Sequence, residues 1–153
     1  MSINVEAFAV ELIGSMSEGV VLADRAGVIQ WWNGGAEKMF GYTSAEAIGQ
    51  SLDLIIPDNL RARHWEGYAR TMETGESRYG PGDLLSVPAI RKDGSRLSVA
   101  FTIVPFRDPA EHITAIAAVM RDVTAQFDEM RNLRKRLGQY MAAEAKGAGE
   151  NGS

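Results

Sequence analysis

Three runs of branched and apolar residues, Leu84–Ile90, Leu97–Phe106 and Ile113–Arg121, restrict most tightly what this chain can become. Each has the length of a strand. The clusters between them, Lys92-Asp93-Gly94 and Asp108-Pro109-Ala110-Glu111, hold the residue types that tight turns require. The runs therefore read as consecutive antiparallel strands. Two shorter apolar runs, Val20–Ala23 and Val28–Trp32, joined by Asp24-Arg25-Ala26-Gly27, read as an opening hairpin. Two strands, a helical stretch and three strands predict an α+β fold: a single five-stranded antiparallel sheet with short helices on one face.

The stretch between the strands carries its own punctuation. Asn33-Gly34-Gly35 interrupts the first hairpin, and Ala36–Phe40 makes about one helical turn before Gly41. Thr43-Ser44-Ala45-Glu46 is a capping box, in which the hydroxyl takes one orphan N–H and the carboxylate another. After the apolar run Leu52–Ile56, Pro57-Asp58 opens the longest internal helix, expected to end at Gly75. Helices flank this core. Val5, Phe8, Ala9, Leu12, Ile13 and Met16 share one helical face. Val123, Phe127, Met130, Leu137 and Met141 fall on a four-three repeat, broken where Arg134 takes a seam position beside Leu133. The expected layout is an N-terminal amphipathic helix over 1–16, a central α+β domain over 17–121, a C-terminal helix over 122–146 and a disordered tail over 147–153.

Charge and chemistry remove several function classes. A net charge of −4 argues against a nucleic-acid surface, and the basic run Arg131, Arg134, Lys135, Arg136 reads as a solvated helix face. With no cysteine, thiolate zinc sites and thiol catalysis are out, which suits a cytoplasmic protein. No apolar run is long enough to span a bilayer. Met1-Ser2-Ile3-Asn4-Val5-Glu6 lacks the basic and apolar start of a secretory signal. Gly80-Pro81-Gly82 lacks the lysine and following helix of a phosphate loop. No Ser/His/Asp grouping or carboxylate pair stands out, so no catalytic residue and no enzyme activity is expected.

This order of elements resembles the PAS fold, and several segments carry the resemblance. Glu18 to Asp24, Gly27-Val28-Ile29 and Trp32-Asn33 look like its opening hairpin. Ala36 to Tyr42 resembles its first short helix, and Glu46-Ala47-Ile48-Gly49 the next segment. Arg91-Lys92-Asp93-Gly94 looks like its charged turn, and Arg121-Asp122-Val123-Thr124 its junction with a signalling helix. The resemblance covers roughly residues 16–125 and implies a sensory domain. It names no ligand, because PAS domains bind haem, flavins, small metabolites or nothing.

Within the predicted long helix, Leu60, His64, Tyr68 and Met72 recur every fourth residue and share one face. A neutral imidazole among apolar walls suits axial ligation of haem iron. The same pattern also fits a hydrogen-bonded core histidine. Pro57 to Tyr68 resembles the haem-binding PAS domains of bacterial oxygen-sensor kinases, which implies His64 as the metal ligand of haem b. Arg70 and Arg78 fall where that subfamily holds the propionates, and guanidinium forks suit carboxylates. The subfamily's distal arginine has no counterpart, since this region reads Gly82-Asp83-Leu84-Leu85-Ser86. A distal pocket of Leu85, Phe101 and Ile103 would be dry, suited to carbon monoxide or nitric oxide more than to oxygen.

His112 reads as a solvated turn residue. Of Trp31 and Trp32, alternation turns one inward and one outward. Flavin-thiol photochemistry is excluded for want of a cysteine, whereas non-covalent flavin is not. Three functions stay open: a haem gas or redox sensor, a sensor of another small ligand, and a ligand-free dimerisation and relay module. The greasy flanking helices suggest a homodimer, and output is expected from a signalling protein in trans or from residues outside this sequence. A ligand would shift the strands that carry Phe101, Ile103 and Met120, and so bias the Arg121–Thr124 junction.

Overall fold

The structure is a computed structural model and describes residues 2–76 and 85–150. It forms two compact units with their boundary between Asp122 and Val123. The first begins with helix α1 (Val5–Ser15), capped by the Asn4 side chain on Ala7 N at 3.1 Å. Strands β1 (Gly19–Asp24) and β2 (Ile29–Trp32) follow, then the short helices α2 (Gly34–Phe40) and α3 (Ser44–Ala47). Two 3-10 turns, Leu52–Ile55 and Asp58–Leu60, lead into α4 (Arg61–Thr74). Strands β3 (Leu85–Ile90), β4 (Arg96–Arg107) and β5 (Ile113–Asp122) complete the unit.

The strands form one five-stranded sheet in the order β2-β1-β5-β4-β3, antiparallel throughout. The first and last strands in sequence order therefore lie side by side, with Val21 opposite Ala118. The edges are modest: β2 has four residues, and β3 carries Pro88. The expected α+β architecture is present, with small differences in bounds. The long helix starts with a 3-10 turn at Asp58, because Pro57 and the residues after it leave the first turn tight and without a side-chain cap.

Strict alternation sorts β1, and the other strands bury their residues less regularly. Val21 and Ala23 of β1 and Leu97 and Val99 of β4 are buried, as are Ile113, Ile116 and Met120 of β5. Val21, Leu97, Val99 and Met120 pack with Ile29, Trp32, Ala36, Phe40 and Ala47 in one cluster, and Ile113 and Ile116 pack around Met72 in a second. Phe40 is fully enclosed, with its ring 5.4 Å from that of Trp32. Removing it would cost about 3–5 kcal/mol, the transfer of a large aromatic plus the cavity left behind. Trp32 is buried and donates to Tyr42 O at 3.0 Å, while Trp31 is exposed, as alternation requires.

Asn33 joins the pieces. Its Oδ1 accepts from Val20 N at 2.8 Å and Ala36 N at 2.9 Å; its Nδ2 donates to Ile13 O at 2.7 Å and Glu18 O at 3.0 Å. One side chain caps α2, starts β1 and holds the end of α1. Gly35 permits the approach, since a β-carbon there would lie 2.1 Å from Glu18 O. On α3 the capping box forms as expected, and Glu46 also takes Lys92 Nζ at 2.5 Å. That bond, with the Thr43 backbone N–H, holds the Glu46 carboxyl down at about 2.

The second unit contains α5 (Thr124–Glu150), which continues past the expected end at Lys146. Alanines 142, 143, 145 and 148 favour the helix enough to carry it through Gly147 and Gly149. Phe127, Met130, Leu133, Leu137 and Met141 are all exposed on it. Among the described residues no helix is long and apolar enough to cross a membrane.

Candidate functional site

Helix α4 carries the predicted His64 face. It ends at Gly75 in the left-handed conformation (φ +73°), whose N–H bonds to Thr71 O as a helix stop. Arg61 anchors its start, donating to Ile56 O and Asp53 O at 3.1 and 3.2 Å and pairing with Asp58 at 2.8 Å. Along its length the helix rests on the β1–β2 turn. Trp65 lies over Gly27 (φ +80°), where a β-carbon would fall 2.2 Å from its ring, and its Nε1 donates to Asp53 Oδ1 at 2.7 Å. Tyr68 donates its hydroxyl to Asp24 O at 2.5 Å. Burial, with the Asp24 charge, pushes the Tyr68 phenol up to about 12, so it stays a neutral donor.

His64 is half-buried, with its ring 4.8 Å from Trp65 edge-on and 5.7 Å from Tyr68. Its Nδ1 is buried with no hydrogen-bond partner among the described residues. Burial pushes the imidazole below its ordinary 6.5, with the Asp53 charge opposing. The ring is therefore neutral near pH 7 and keeps a lone pair.

The structure sets His64 beside Tyr68, and Tyr68 and Ile103 both pack against the cluster of Met72, Ile113 and Ile116. Phe101 is half-buried two residues along β4 and packs on the larger cluster; Leu85 lies opposite it in the β3–β4 register. Arg70 lies apart, exposed and paired with Glu66 at 3.5 Å. Arg78, Gly80-Pro81-Gly82, Asp83 and Leu84 lie outside the described residues. His112 is exposed beside Asp108, as expected of a turn residue.

Comparison with known proteins bears on this arrangement. The family model for the PAS domain matches residues 17–125. This chain belongs to the PAS domain family. It is 30% identical over 131 residues to an uncharacterised protein of Azorhizobium caulinodans, covering 85% of this chain and 17% of that protein. It is 29% identical to the oxygen sensor protein DosP of Escherichia coli, over 76% of this chain and 14% of that one. To the sensor protein FixL of Bradyrhizobium diazoefficiens it is 26% identical, over 81% and 24%. The chain thus spans less than a quarter of these relatives. Among solved structures, a PAS domain from Colwellia psychrerythraea superposes with a TM-score of 0.69 at 19% identity, over 80% of this chain and 99% of that one. An RNA-binding light-oxygen-voltage receptor gives 0.69 at 18%, over 88% and 37%. The fold agrees in both.

As a PAS domain the chain is a sensory module, and its junction has a defined partner: Asp122 pairs with Arg91 of the charged turn at 3.3 Å. Sequence reasoning missed Asp53, Trp65 and Arg25 at the site. Asp53 and Trp65 are twelve residues apart and meet only because α4 folds back over the 3-10 turn. Gly27 was the available clue, since a turn glycine leaves room for a ring.

Proposed function

We propose that this domain is a haem-based gas or redox sensor with His64 as the axial ligand of the iron. The observation that carries this reading is the buried imidazole nitrogen without a hydrogen bond. Leaving such a group unpaired costs about 1–3 kcal/mol, and coordination would relieve it. The residues fit the group. The ring is held neutral by burial, and Tyr68, Phe101 and Ile103 supply flat or apolar walls. Asp53, whose charge acts on His64, is the carboxylate available to orient the second ring nitrogen. When bound, haem would supply reversible binding of a diatomic gas or a one-electron change.

The protein's own part is to hold and to exclude. Trp65 and Tyr68 fix the rotation of α4 and so the aim of His64. Phe101 and Ile103 offer no side-chain donor, which favours carbon monoxide or nitric oxide over oxygen. The propionate role of Arg70 and Arg78 rests on resemblance, and Arg70 would exchange Glu66 for it. Similarity to an oxygen sensor protein and to a sensor protein supports the sensing role.

The domain works as a cytoplasmic homodimer through its flanking helices, passing its signal to a protein in trans. Exposed Val5, Phe8 and Leu12 on α1, and Leu133, Leu137 and Met141 on α5, support this. The test of the central reading is a visible spectrum of the protein mixed with hemin, beside His64→Ala. A Soret band that shifts with carbon monoxide and vanishes in the variant is expected. A band indifferent to the substitution would return His64 to the core.

A further inference from the structure

Helix α4 has no basic side chain in its last turn, so the charge that offsets the negative end of its dipole must come from elsewhere. Two arginines outside the helix supply it. Arg107, the last residue of β4, donates to Gly75 O at 2.6 Å, and Arg25, from the β1–β2 turn, donates to Met72 O at 3.1 Å. Arg25 does more. Its other terminal nitrogen donates to Ile113 O at 2.8 Å, the first residue of β5. One planar guanidinium thus holds the end of the His64 helix and the start of a strand that ends at Asp122, two residues before α5 begins.

The turn that presents Arg25 is fixed. Asp24 Oδ1 accepts from Ala26 N at 2.9 Å and Val28 N at 3.0 Å, and Gly27 N donates to Asp24 O at 2.9 Å. Helix α4 touches this one turn at three positions on one face: Trp65 over Gly27, Tyr68 on Asp24 O, and Met72 O on Arg25. The helix cannot roll or slide without moving the turn.

We propose that the β1–β2 turn, through Arg25, is the mechanical link that carries displacement of α4 into β5. Arg25 is a positioning residue here, and the inference rests on the proposed function only in taking a ligand at His64 as the source of displacement. A guanidinium suits the task because its fork holds two acceptors at a set spacing, which a compact ammonium does not.

The link can be tested without a ligand. Gly67 sits in the exposed middle of α4, and a β-carbon there meets nothing within 4 Å. Gly67→Ala should slow amide exchange at Arg70–Thr74 about fivefold, the usual gain of alanine over glycine in a helix. If Arg25 transmits, the amides of Thr114–Ile116 slow about twofold in the same protein. Adding Arg25→Ala should leave the slowing in α4 and abolish it in β5. A merely structural Arg25 would lower protection at both places yet leave the response to Gly67→Ala intact, and that result overturns the proposal. So does a β5 that never responds.

Hemin separates this inference from the one beneath it. Arg25→Ala that keeps the His64-dependent Soret band but loses the hemin-induced exchange change at Thr124–Phe127 supports both. If that change persists in Arg25→Ala, the link is refuted. If hemin gives no band with the parent chain, the haem reading falls, and the link is decided by the ligand-free exchange.

Discussion

Asn33 and His64 both place polar atoms out of reach of water, and the chain treats them in opposite ways. Asn33 is 3% exposed, with its amide oxygen and nitrogen each bonded twice to backbone. His64 keeps a buried nitrogen unpaired, on a helix otherwise anchored by Arg61, Trp65, Tyr68 and the two arginines at its end. The first region spends its polar group on joining α1, β1 and α2. In the second, neighbouring side chains do the joining, and the imidazole is left available. Buried polar groups in native folds are nearly always satisfied, so an exception surrounded by satisfied neighbours points to use.

The contrast can be broken experimentally, most sharply at Asn33. Asn33→Ala strips partners from Val20 N, Ala36 N, Ile13 O and Glu18 O, and should cost about 3–5 kcal/mol in urea denaturation. A loss under about 1 kcal/mol would erase the difference between the two sites. His64→Leu should leave stability unchanged or raise it by about 1 kcal/mol, since it removes an orphaned nitrogen and keeps apolar bulk. A loss above about 2 kcal/mol would make His64 structural.

A pH series sharpens the same point. Because burial lowers the His64 pKa in the fold, the unfolded chain binds more protons below 6.5. Its contribution is thus fully present above that pH and is lost as pH falls through the folded value. Stability of the ligand-free protein should decline over that window, and His64→Leu should decline less. Smallest of all is Arg70→Ala: its exposed pair with Glu66 should be worth under about 0.5 kcal/mol.

Much of this arrangement was legible in the sequence, and the remainder has a physical reason for being hidden. The branched, apolar runs of β1, β4 and β5 and the glycines closing the turns are local signals, so the sheet and its helices were readable from short windows. The His64 face was readable too, because four-residue spacing is local. Asp53 with Trp65, and Arg25 with Met72 and Ile113, are contacts between distant segments, and no periodicity marks them. Arg25 in particular looks like any turn arginine until α4 and β5 lie on either side of it. Arg70 shows the reverse: spacing alone cannot say whether an exposed guanidinium turns to a pocket or to Glu66.

The two rims of the sheet bear on how copies of this chain can meet. On one side β2 offers only four residues, and on the other Pro88 interrupts the line of N–H donors that an approaching strand would need. Stacking of sheets end to end into a growing ribbon is thereby discouraged at both rims. A protein with greasy helices needs that safeguard at high concentration, and Pro88→Val should test it by raising thioflavin-positive aggregate while leaving the monomer's fold intact.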